Sequence, residues 1–111
     1  MAASCPEVGG AWTATPDPAD IMTCRDPMAV EIAQTGCQIT FTFDIVSGSG
    51  PITTDSASLS STGAYATTLT LPGDGGGVQG YLEGSVSGSA GTMELGGASP
   101  RMRICGFTLS R

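Results

Sequence analysis

Apolar and polar side chains alternate over short stretches of this chain, the two-residue period of a half-buried strand. In 38–45, Ile39, Phe41, Phe43 and Ile45 share one face, while Gln38, Thr40, Thr42 and Asp44 share the other. In 28–35, Met28, Val30 and Ile32 point inward and Glu31 outward. The next periodic stretch, 64–71, groups Tyr65, Leu69 and Leu71 around Thr67. In 78–86, Val78, Leu82 and Val86 form the inner set, with Gln79, Tyr81 and Glu83 opposite. Shorter strand candidates are "VGGAWTAT", "ITTDSASLS", "AGTMELG" and "RMRICGFTLSR", and turn clusters such as "SGSGP", "PGDGGG" and "GGASP" separate them all. The pattern predicts about eight strands and no helix beyond a turn or two; the proline-rich "PDPADIMTCRDP" reads as a long connection with room for one helical turn.

Strands joined in sequence by hairpins close into a barrel that abolishes exposed edges. The predicted fold class is therefore all-β: a small antiparallel up-and-down β-barrel of about eight strands, stapled by two disulfides. A sandwich or half-open barrel is the structural alternative. Residues 5–111 read as a single domain, with 1–4 as the remnant of a leader.

Composition narrows the chemistry mainly by what is missing. The chain has no His, Lys or Asn. That removes imidazole relays and imidazole metal ligands, Schiff bases and phosphate-binding lysines, and N-glycosylation sites. Lys and Asn have AT-rich codons, so their absence suggests a GC-rich bacterial source. The formal net charge is −6 and all four cations are arginines, Arg25, Arg101, Arg103 and Arg111. So acidic a chain repels nucleic acid and anionic membrane surfaces, and no run is long enough for membrane insertion by a helix.

Cys5, Cys24, Cys37 and Cys105 include no Cys-x-x-Cys pair, which argues against structural zinc and redox motifs and for two disulfides. Disulfides imply a secreted or periplasmic location. The alternative fate of Cys5 is lipidation, because the small residues of "AASC" also precede the modified cysteine of bacterial lipoproteins.

"GAW" in the first strand and the arginine that follows "CGFTLS" in the last resemble the Gly-x-Trp and late-arginine pattern of lipocalin-like, or calycin, barrels, a group that includes avidin-like barrels. The resemblance covers only these two ends. It implies that Trp12 plugs the closed end of the barrel and that Arg111 lies across it, with Arg103 as the substitute in another register. The chain lacks the several binding-site tryptophans of avidins, so biotin binding does not carry over.

On such a barrel, strand parity puts Cys5 and Cys37 at the base, with Cys24 and Cys105 toward the top. The expected pairs, of the three pairings four cysteines allow, are Cys5–Cys37 and Cys24–Cys105. The longer connections gather at the top, where Asp17, Asp20, Asp26 and Asp74 form an acidic ligand-binding mouth with Arg25 and Arg101 among them. Calcium is the one metal whose oxygen ligands are present, but the spacing matches no calcium loop, so neither a metal site nor a cofactor is expected.

The expected role is non-catalytic binding of a small apolar ligand, which requires an apolar cavity open near Asp17–Asp26. One alternative is a small carboxylate-based isomerase or hydrolase. Among its candidate bases Asp44 and Glu83 point to solvent, and Glu94, between Met93 and Leu95, is the one whose side is open. The other alternative is a cell-surface structural or interaction module, with a packed interior and an exposed patch near Tyr81 or Phe107. Oligomeric state is not legible in the sequence.

Overall fold

A computed structural model describes residues 5–18, 24, 27–44, 51–71, 77–98 and 101–111. The described strands are β1 (Gly10–Pro16), β2 (Met28–Thr35), β3 (Gln38–Phe43), β4 (Ile52–Thr53), β5 (Ala57–Ser58), β6 (Ala64–Leu71), β7 (Val78–Ser87), β8 (Ala90–Ala98) and β9 (Arg101–Ser110). Their ladders are antiparallel and run in the order β4-β3-β2-β1-β9-β8-β7-β6, with β5 also on β3. β4 and β5 together take the place of one strand, which makes an all-β, nearly closed barrel of eight. Backbone bonds from Asp55 N to Thr68 O (2.9 Å) and from Ser60 N to Ala64 O (3.0 Å) draw the β4–β5 segment against β6 along the remaining seam.

"ITTDSASLS" reads as one strand but folds as two short ladders. Thr54 interrupts it: its N–H donates to Phe41 O at 2.9 Å, and its hydroxyl accepts from Phe41 N at 3.0 Å. A side chain thus stands in for a backbone partner, and Thr54 is buried at the break.

The core follows the alternation. Val30, Ile32, Ile39, Phe41, Phe43, Leu69, Leu82, Val86, Met93, Leu95, Phe107 and Leu109 belong to one buried cluster inside the barrel. The Phe41 and Tyr65 rings meet at 4.7 Å between centroids, and the Tyr65 hydroxyl donates to Thr92 O at 2.8 Å, so a buried phenol is satisfied on the far side. Ile45, expected on the same inner face, lies outside the described residues. Val78 departs from expectation: it is 55 % exposed. It ends β7 opposite Leu71, and the next inward positions beside it are Gly80 and Gly97, which have no side chains to cover it.

At the base, Cys5 is joined to Cys37, and Cys24 is joined to Cys105 higher up, the two expected pairs. Such bonds persist in an oxidising, extracytoplasmic environment. Among the described residues no helix is long and apolar enough to cross a membrane. Trp12 is buried, its indole N–H donates to Val8 O at 2.8 Å, and the Arg111 guanidinium lies over its ring at 4.5 Å. The same guanidinium donates to the carbonyls of Glu7, Gly9 and Gly88. Gln34 completes this closure. Its amide oxygen accepts from Val8 N and Gly9 N, and its amide nitrogen donates to the carbonyls of Pro6 and Gly36.

Candidate functional site

A groove enclosing about 340 Å³ lies on the outer wall of the barrel, across β7, β8 and β9. Its position follows from register. Asp17 N donates to Gly106 O, Gly106 pairs with Glu94, and Glu94 pairs with Glu83. These four residues form one outward-facing row across the sheet. A hydroxyl row runs beside it, Thr15–Thr108–Thr92–Ser85. Thr92, Thr108, Asp17, Glu83, Glu94, Gly106 and Arg103 all contribute to the lining.

Arg103 reaches this face because of a bulge. In a regular strand Arg103 and Gly106, three residues apart, would point to opposite faces. The register shifts between Leu95, opposite Cys105, and Gly96, opposite Arg103, which leaves Ile104 as the extra residue. The bulge turns Arg103 outward while Cys105 and Phe107 stay in the core. The guanidinium then folds back over Gly106, where even a Cβ would stand 2.3 Å from its Nη2, and pairs with Asp17 Oδ2 at 3.5 Å.

The groove's carboxylates are held from above. Tyr81 faces outward, as the alternation requires, yet is only 7 % exposed. Its cross-strand partner is Gly96, and the phenol ring rests on that glycine so closely that a Cβ there would meet ring carbon Cε2 at 2.3 Å. Arg101 covers the ring's other side at 3.9 Å and binds the Glu83 carboxylate. The Tyr81 hydroxyl donates to Glu94 Oε2 at 2.8 Å. Burial of the ring, and then the hydrogen bond to the Glu94 carboxylate, push the Tyr81 phenol above the ordinary tyrosine range, so it stays a donor.

The sequence candidates distribute unevenly over this site. Glu94 faces outward and lines the groove beside Glu83. Asp44 is exposed and lies outside the lining. Of the expected acidic mouth, Asp17 lies at the end of the groove, and Asp20, Asp26, Asp74 and Arg25 lie outside the described residues. Tyr81 and Phe107, around which an exposed patch was the expectation for an interaction module, are both buried; Val78 and Met102 are the large apolar side chains exposed among the described residues. Arg103, Gly96 and Gly106 were not singled out as a site by sequence, because only the bulge brings them to one face. The chain matches no protein-family model, no curated protein and no solved structure.

Proposed function

We propose that this protein is a secreted or periplasmic, non-catalytic binding module of bacterial origin, a lipocalin-like barrel that recognises a small ligand or partner on its outer wall. The observation that carries this reading is the location of the groove: polar and charged side chains converge on the outside of β7–β9, while the inside of the barrel is occupied by the core. The lipocalin-like assignment rests on barrel shape and on the stacking of Arg111 over Trp12. The apolar-ligand carrier, the first expectation from sequence, would need room for its cargo among the core side chains. A carboxylate-based enzyme is favoured only by Glu94, set in the groove with a hydrogen-bonded tyrosine.

Titration with palmitate, followed through the methyl resonances of Ile39, Leu82 and Leu95, separates the carrier from the outer-wall module. No saturable shift of these core methyls is expected. Saturable one-to-one binding that moves them would place cargo inside the barrel and overturn the proposal.

A further inference from the structure

We infer that Cys5–Cys37 is an exchangeable disulfide, a site where a small external thiol opens the bond and occupies Cys37 as a mixed disulfide while the barrel stays shut. The inference is independent of the outer groove. It rests on the unlike settings of the two disulfides. Cys105 is 0 % exposed and belongs to the core cluster, so an external thiolate cannot reach its sulphur. Attack on the half-buried Cys24 instead would expel the Cys105 thiolate into apolar surroundings, where an unpaired charge is costly. Neither sulphur of that bond offers a productive route.

Cys5–Cys37 has no such block. Both of its cysteines are half-buried, and Cys37 lies in the turn between β2 and β3, flanked by exposed Gly36 and Gln38. Attack on Cys37 Sγ forms the mixed disulfide and sends the S–S electron pair to Cys5, which leaves as a thiolate and takes a proton from water. The resulting thiol has an acceptor at hand, because Gly36 O stands 3.5 Å from Cys5 Sγ. A second external thiol attacking the mixed disulfide departs with the first as their own disulfide and returns Cys37 as a thiol. Other bonds hold the base meanwhile. Val8 is fully buried and its carbonyl accepts from the Trp12 indole at 2.8 Å. Gln34 binds Val8 N, Gly9 N and Pro6 O, and Arg111 binds the carbonyls of Glu7 and Gly9. Cys37 is anchored separately, through Leu59 N to its carbonyl at 2.7 Å. Cys5 therefore stays beside Cys37 and can close the bond again.

The test is reduction of the whole oxidised protein under native conditions with graded dithiothreitol, quenched with iodoacetamide and mapped by tandem mass spectrometry. Cys5 and Cys37 should be alkylated about tenfold faster than Cys24 and Cys105, or more, with Trp12 fluorescence unchanged. Equal rates at the two bonds, or faster labelling of Cys24 and Cys105, would overturn the inference. So would labelling of Cys5 and Cys37 that appears only as native Trp12 fluorescence is lost, because opening would then require unfolding. A Cys5→Ser variant removes the thiol that expels the mixed disulfide. Incubated with oxidised glutathione, it should remain folded and take up one glutathione on Cys37. A folded variant that takes up none would overturn occupation of Cys37 by a small thiol, and an unfolded variant would overturn closure of the barrel without the bond.

Discussion

At the scale of single residues, two aromatic side chains do unlike work. Trp12 joins three parts of the base, since it packs in the core, bonds Val8 O and lies under Arg111. Trp12→Ala is expected to destabilise the protein by about 3–5 kcal/mol, the usual cost of truncating a large buried aromatic, and a urea denaturation curve measures it. Tyr65 and Tyr81 bear instead on pH. Burial, together with the nearby Glu83 charge for Tyr65 and the Glu94 hydrogen bond for Tyr81, raises both phenols above their ordinary value. An acid whose pKa is raised by folding contributes stability that is complete below its unfolded pKa and is lost as pH rises toward the folded one. The urea midpoint should therefore stay level through neutral pH and fall above about pH 10, where tyrosines of the unfolded chain ionise. Phenolate absorbance of the folded protein should lag behind that of the denatured protein. Gln34 shows what residue-level reading of the sequence overlooks. It sits at an intermediate position in an ordinary alternating strand, and its three bonds to the segment before β1 depend on that segment lying alongside β2, where Cys5–Cys37 ties it.

At the scale of strands, period-two alternation carried most of the fold. Burial on β2 and β3 follows it residue by residue, since Val30, Ile32, Ile39, Phe41 and Phe43 are all inside. It failed where the cause was not periodic. Thr54 breaks a strand with a side-chain hydrogen bond, and Ile104 is an extra residue that reverses parity for Arg101 and Arg103. Because the groove is built on that bulge, the site was less legible than the fold: Glu94 could be suspected, but its neighbours depend on cross-strand register. The seat of Tyr81 illustrates the same dependence. Gly96→Ala would place a methyl group against the Tyr81 ring and against Met102 O, which a Cβ would approach to 2.4 Å. We expect a loss of about 1–3 kcal/mol, as for overpacking elsewhere. A substitution on the outer surface would then cost as much as one in a core, and thermal denaturation of the variant would record it.

At the scale of the molecule, the disulfide pairs were legible because a barrel assigns each cysteine to an end, whatever loops intervene. The two bonds close spans of 32 and 81 residues, and in a chain so rich in glycine each restrains a large unfolded ensemble. Between them they tie the segment before β1 to the β2–β3 turn, and the β1–β2 connection to β9. The ladder between β1 and β9 has a further consequence. Thr13 pairs with Ser110 and Thr15 with Thr108, so the first strand formed is completed by the last. During synthesis β1, β2 and β3 can assemble as local hairpins, but the free side of β1 has no partner until residues 101–110 have left the ribosome. Contacts so distant along the chain make folding slow, and a chain that cannot close early stays threadable. Delayed closure of this kind suits a polypeptide whose cysteines must meet an oxidant before its barrel is shut.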